Sequence, residues 1–140
     1  SHTPPQYHGC KMTLQRAPVC GATIKHLGRT AAVGDFAHGT GSAGTIDIID
    51  AYVARLLRDY TGPRPLSVAW DCGNGATGEI VRRLTARLPG THILLFDDID
   101  GRFPNHEANP LIEENRVDIT ERVIAEKADI GIAWDGDADR

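Results

Sequence analysis

The stretch WDCGNGATGE, Trp70 to Glu79, decides how the chain is read. Gly73, Gly75 and Gly78 spell G-x-G-x-x-G, and Asp97 stands 24 residues after Gly73. The apolar run LSVAWD (66–71) precedes the glycines and the amphipathic run GEIVRRLTARL (78–88) follows them. This spacing predicts a strand, a tight turn, and a helix burying Ile80, Val81, Leu84 and Leu88. It is also the layout of a dinucleotide fingerprint, with glycines for the turn and an acid for the ribose. The same residues serve plain architecture equally well. Any strand-to-helix turn in a parallel sheet wants Gly for positive φ and for close helix–strand packing. Asp71 and Asn74 can tie such a loop by hydrogen bonds.

Outward from that turn, strand and helix alternate. HILLF (92–96) is continuously apolar, as expected of a strand covered on both faces. A polar loop runs from Asp97 to Val117. DITERVIAEKA (118–128) predicts a helix, with Asp118 and Glu121 as an acidic capping-box variant. DIGIAW (129–134) predicts a third strand, with Ile130, Ile132 and Trp134 on one face, while Gly131 and Ala133 leave room for a helix on the other. The order implies an α/β fold, a three-layer α/β/α arrangement with a mostly parallel sheet and right-handed crossovers. Ligands gather at the carboxyl ends of such strands.

Upstream, SHTPPQYHG must be a loop, because Pro4 and Pro5 bar helix and central strand alike. CKMTL (10–14) reads as a short strand. TIKHLG (23–28) reads as one or two helical turns ended by Gly28. HGTGSAG is built almost wholly of small residues and reads as a linker. In TIDIIDAYVARLLRDY, Ile49, Tyr52, Val53, Leu56, Leu57 and Tyr60 recur at helical spacing, with Thr45 as the expected N-cap and TGPRP as the stop. The expected organisation is residues 1–38 as the end of a first α/β domain, 39–44 as linker, and 45–140 as a second α/β domain. The chain has no initiator Met, opens inside one dense motif and stops inside another. It therefore reads as a fragment of a multi-domain enzyme.

Composition narrows the classes. The chain has 140 residues and a formal net charge of −4, with 41% apolar and 24% charged residues. That balance gives no footprint for nucleic acid or anionic lipid. No apolar run approaches the roughly 18 residues of a membrane span. Cys10, Cys20 and Cys72 are odd in number and irregularly spaced, which argues against a disulfide framework and fits a reducing, cytoplasmic setting. His2, His8, Cys10 and Cys20 match the spacing of no common zinc module.

DGDADR (135–140) carries the strongest chemistry. It follows directly on a predicted strand, and in an extended or gently curved backbone Asp135, Asp137 and Asp139 would point the same way. Three crowded anions repel unless a cation joins them, and a hard divalent ion with oxygen ligands is the natural partner. An EF-hand loop would want Gly at its sixth position, where Arg140 stands. The second motif is SHTPPQYHGCK, which sets Ser1 on a Pro-stiffened loop with His2 beside it and Lys11 ten residues on. A rigid loop suits a nucleophile, provided a base or cation is near.

In order and spacing, the Ser1 loop, GNGxxG, FPNH (Phe103 to His106) and DGDADR together resemble the α-D-phosphohexomutases, closest to the bacterial phosphomannomutase/phosphoglucomutase branch. The likeness covers nearly the whole chain. The first and last motifs are specific in combination, and the glycines only supportive. The resemblance implies interconversion of a hexose 1-phosphate and 6-phosphate, of mannose or glucose, through a phosphoserine and a hexose 1,6-bisphosphate intermediate. By similarity Ser1 is the phosphoserine. Asp135, Asp137 and Asp139 with a phosphoryl oxygen on Ser1 would hold one Mg²⁺, as that ion prefers a few carboxylates plus phosphate. Arg140 would grip phosphate, Lys11 would act as general acid/base toward the sugar hydroxyl, and His2 would orient Ser1 or shuttle its proton. Thr3, His8 and Cys10 depart from the usual Asn, Asn and aromatic residue, and Thr3 loses an amide beside the serine. The sugar-selecting loop and the phosphate clamp would lie downstream of Arg140, so the chain alone should not turn over substrate. The expected partner is a small phosphosugar, not nucleic acid or membrane.

Three rival readings use part of the same chain. A nicotinamide-dinucleotide domain uses the glycines but leaves a crowded acidic loop unexplained. An aspartyl-nucleophile phosphatase would use Asp98 and Asp100 in LLFDDIDG, although Arg102 follows Gly101 where Thr or Val is usual. A plain divalent-cation module uses DGDADR and leaves the Ser1 loop idle.

Overall fold

The computed structural model describes Gln6, Tyr7 and residues 9–140. The expectations placed on Ser1, His2, Thr3, Pro4, Pro5 and His8 lie outside the described residues. The described chain forms two compact units, Tyr7–Ile46 and Asp47–Arg140.

In the smaller unit, strands β1 (Thr13–Leu14) and β2 (Ala17–Pro18) pair antiparallel, Thr13 opposite Pro18. Gln15 and Arg16 connect them with φ of 50° and 65°, the doubly positive turn whose twist matches a two-residue hairpin. The strand is shorter than CKMTL. Helix α1 (Ala22–Ala32) has 11 residues, longer than the one or two turns expected, and it runs through Gly28. A single helical Gly costs only about 1 kcal/mol relative to Ala. The stop comes instead at Gly34, whose φ of 69° no ordinary side chain favours.

The larger unit carries the alternation read from the sequence. Helix α2 (Ile49–Leu57) starts later than expected. Thr45 does not cap it; the Asp47 carboxylate accepts the Ile49 N–H at 3.0 Å instead. Val53 is fully buried on this helix. Strand β3 (Leu66–Asp71), helix α3 (Gly78–Thr85), strand β4 (Gly90–Leu95), helix α4 (Val117–Glu126) and strand β5 (Ile130–Ala133) follow. The sheet order is β4-β3-β5 and both pairings are parallel.

Alternation along the central strand builds two cores. Val68, Trp70 and Cys72 pack with Val81 of α3, and Ala69 packs with Leu95 and Ile119 of α4. Trp70 also stacks on Trp134, ring centroids 5.6 Å apart. Helices thus cover both faces, the three-layer α/β/α plan. Gly131 is what lets α4 close on the sheet: a Cβ there would stand 2.8 Å from Val123 Cγ2. The capping box expected from Asp118 and Glu121 is absent. A 3₁₀ turn, Glu114–Arg116, leads straight into α4, and Asp118 falls in the helix's first turn, where a carboxylate favours the helix dipole without capping it. Among the described residues no helix is long and apolar enough to cross a membrane.

Candidate active site

The loop 135–140 leaves β5 at the carboxyl edge of the sheet, after Trp134 N–H has bonded to Asp71 O at 3.1 Å. The sequence suggests an extended or gently curved backbone; the loop is instead a closed ring. Ala138 has φ of 59°, its N–H reaches Asp135 O at 3.0 Å, and Asp135 N–H reaches Arg140 O at 3.1 Å. The small residues between the acids permit this tight ring. The three carboxylates still converge: ligand oxygens from Asp135, Asp137 and Asp139 lie within 4.8 Å of one another.

Asp135 is wholly buried, and Asp137 and Asp139 are exposed. Burial alone would push the Asp135 carboxyl up. The Arg140 guanidinium, with Nε at 3.1 Å and Nη2 at 2.7 Å from Oδ2, and the Arg140 N–H at 3.1 Å from Oδ1, outweigh it and hold the pKa down at about 2. The buried acid is therefore ionised at neutral pH. A set of oxygen donors with one fixed, ionised carboxylate and two reachable from solvent could hold a hard divalent cation.

The glycine turn of residues 73–78 supports this loop. Gly73 and Asn74 have φ of 52° and 55°. Asp71 Oδ1 accepts the Gly73 N–H at 2.9 Å, Asn74 Nδ2 donates to Asp98 O at 2.8 Å, and Gly75 N–H bonds to Cys72 O at 2.8 Å. Ala76 N–H then bonds to Gly136 O at 3.0 Å. A Cβ on Gly75 would sit 2.8 Å from that same oxygen, and one on Gly78 would sit 2.0 Å from Asp97 O. Each glycine is thus explained by contact with the chain itself. Asp97, the acid a dinucleotide would need, pairs with Arg82 at 2.7 Å. Asp100, the second acid of the phosphatase-like pair, is clasped by its neighbour: Arg102 Nε lies 2.8 Å from Oδ1, and the hydrogen bonds from Arg102 hold its pKa at about 2.

In the sequence FPNH (103–106) serves only as part of a family pattern, which does not foretell the contacts that the loop 103–109 makes. Asn105 Nδ2 donates to Asn74 Oδ1 at 2.8 Å, and His106 Nε2 lies 3.0 Å from Asp71 Oδ2. His106 Nδ1 lies 2.9 Å from Glu107 O. Both ring nitrogens face acceptors, so the geometry suits the imidazolium, and the Asp71 hydrogen bond first of all raises the His106 pKa. The signal was present: a polar loop after β4, at the sheet edge where sites form, opposite an Asp that ends the central strand.

Of the site residues expected from the sequence, Asp135, Asp137, Asp139 and Arg140 come together. Lys11 is exposed in the Tyr7–Ile46 unit. Ser1 and His2 lie outside the described residues.

Residues 49–140 match the family model described as phosphoglucomutase/phosphomannomutase, alpha/beta/alpha domain II. The chain belongs to that family. The domain named in the description corresponds to the α/β/α unit built above. A phosphomannomutase/phosphoglucomutase of Pseudomonas aeruginosa is 38% identical over 140 residues, covering 100% of this chain and 30% of the relative. A phosphomannomutase of Salmonella typhimurium is 38% identical over 153 aligned residues, and a phosphoglucomutase of Neisseria gonorrhoeae 37% over 142. Among solved structures, the crystal structure of a phosphoglucomutase/phosphomannomutase family protein from Burkholderia thailandensis superposes with a TM-score of 0.90 at 40% identity, covering 97% of this chain and 30% of that one. The chain spans about a third of the length of the curated relatives it matches.

Proposed function

We propose that this chain is the part of a phosphohexomutase that carries the phosphoserine loop and the cation loop, interconverting hexose 1-phosphate and 6-phosphate. Mannose and glucose are the proposed sugars, consistent with the names of the relatives. Residues 1–38 would end a first domain, 39–44 link it, and 45–140 form most of a second. The observation that carries the reading is the convergence of Asp135, Asp137 and Asp139 beside Arg140, in a chain of this family.

Phosphoserine at Ser1 would be the donor. Its O–P bond breaks as the sugar hydroxyl oxygen bonds to phosphorus; the hydroxyl proton passes to Lys11 as a neutral amine, and the departing Ser1 oxygen takes a proton from His2 as imidazolium. The resulting 1,6-bisphosphate turns over and returns its other phosphoryl group to Ser1, whose proton goes back to His2 while Lys11 returns its proton to the sugar oxygen. His2 would thus orient Ser1 and shuttle its proton. Arg140, held by Asp135, would bring its guanidinium to a phosphate. Asp135, Asp137 and Asp139, with a phosphoryl oxygen, would hold Mg²⁺, which when bound neutralises charge on the transferring group.

The test uses the full-length protein. Intact-mass measurement should show one phosphoryl group on Ser1, absent in Ser1→Ala, and purified enzyme should convert glucose 1-phosphate or mannose 1-phosphate to the 6-phosphate. Turnover that survives Ser1→Ala would overturn the reading. A nicotinamide enzyme or an aspartyl phosphatase would instead bind NADH or release phosphate through Asp98.

A further inference from the structure

Asp71 ends the central strand as a carboxylate that is 1% exposed. Burying a carboxylate is costly, and a well-packed apolar residue would serve stability at least as well. What the side chain supplies is a set of contacts. Oδ1 takes the Gly73 N–H at 2.9 Å, Oδ2 faces His106 Nε2 at 3.0 Å, and the backbone oxygen takes the Trp134 N–H at 3.1 Å. Each of these three segments adjoins the acidic ring. The turn that begins at Gly73 gives the Ala76 N–H to Gly136 O at 3.0 Å, and Gly136 stands between Asp135 and Asp137. The loop after His106 carries Asn109, whose Oδ1 lies 3.4 Å from Arg140 Nη1, beside the pairs that this guanidinium makes with Asp135 and Asp139. Trp134 immediately precedes Asp135. The segments also touch one another: a Cβ on Gly73 would stand 3.3 Å from Ala108 Cβ and 3.5 Å from Trp134 O.

We infer that Asp71 is a positioning residue for the acidic ring, fixing through its two carboxylate oxygens the turn and the loop that flank it. The two oxygens share one rigid plane, so turn and loop are set relative to each other and not merely each to the strand. The carboxylates of Asp135, Asp137 and Asp139 converge within 4.8 Å, and like charges that close repel. Flanks that gave way would let them spread. A cation would then have to draw the ring together as it bound, and its affinity would fall by the cost of that ordering. Asp71 thus acts on the ion through backbone it holds in place, a support that a site needs to within a fraction of an ångström.

The inference rests on the cation role proposed for the ring, and the experiment reads the two separately. In metal-stripped full-length protein, calorimetric titration should show Asp71→Ala binding Mn²⁺ about tenfold more weakly than wild type. Asp71→Asn should restore most of the affinity. Its amide oxygen can accept the Gly73 N–H, and its NH₂ can donate to Nε2 of a neutral His106 whose Nδ1–H turns to Glu107 O. Val68→Ala, which hollows the core against α3, should lower the thermal midpoint and leave Mn²⁺ affinity unchanged. If Asp71→Ala does not fold, His106→Ala cuts one of the two anchors and should weaken Mn²⁺ binding several-fold. Crystal structures of wild type and of the weakened variant should show residues 135–140 displaced against β3. Unchanged affinity in folded Asp71→Ala or, in its place, in His106→Ala would overturn the inference. So would an equal loss in Asp71→Asn, an equal loss in Val68→Ala, or a ring that stays in place. If the wild type binds no Mn²⁺, the cation reading fails, and the position of the ring in the variant still decides the role of Asp71.

Discussion

His106 Nε2 stands 3.0 Å from Oδ2 of Asp71, a carboxylate only 1% exposed, and the pair joins the loop after β4 to the end of the central strand. The His106 pKa is raised in the fold, chiefly by its hydrogen bond to Asp71. A group raised on folding stabilises fully below its unfolded pKa, about 6.5, and that contribution is lost as pH rises through the folded value. The stability gap between wild type and His106→Gln should therefore be widest in mild acid and narrow toward alkaline pH. Urea unfolding of the full-length protein across that range measures it; a gap that widens with pH would contradict the pairing.

Gly78→Ala should destabilise, although Ala is the better helix former by about 1 kcal/mol. The new Cβ would meet backbone, 2.0 Å from Asp97 O, so neither side can yield by a rotamer change. Overpacking of this kind costs about 3 kcal/mol, which outweighs the propensity gain. Denaturant unfolding reads the sign directly.

Cation binding should depend on the exposed acids. Asp137→Asn and Asp139→Asn each remove one charge from a three-carboxylate cluster and should weaken Mn²⁺ binding on the order of tenfold or more. Calorimetric titration of metal-stripped full-length protein measures this. Removal of divalent ions by chelation should abolish turnover, and Mg²⁺ should restore it.

Asp98→Asn should leave turnover within about twofold, because an exposed ion pair such as that with Arg82 is worth little. The Asp98 side chain is 95% exposed. A steady-state assay that showed loss of activity would revive the aspartyl-nucleophile reading.

Much of the fold was legible because its strands are apolar throughout and its helices are periodic. LSVAWD is β3 residue for residue, and Gly131 sits beneath α4 as its lack of a side chain suggested. Helix ends were less legible. Thr45 is a good capping residue by type, but Asp47 is nearer the turn where packing of Val53 begins the helix. Gly28 looked like a stop, yet a stop depends on φ, which residue identity alone does not reveal. At the site, the acids were legible from their spacing, while the tight ring around Ala138 was not. The contacts of His106 and Asn109 join residues about 30 positions apart, and no local pattern encodes such a meeting.

The hydrogen bond from the Ala76 N–H to Gly136 O ties the turn after β3 to the loop after β5. The acidic ring therefore gains its backing only when β5 is docked beside β3. A divalent ion held by the ring would favour the docked sheet over the open one, and chelators should then speed unfolding of the protein.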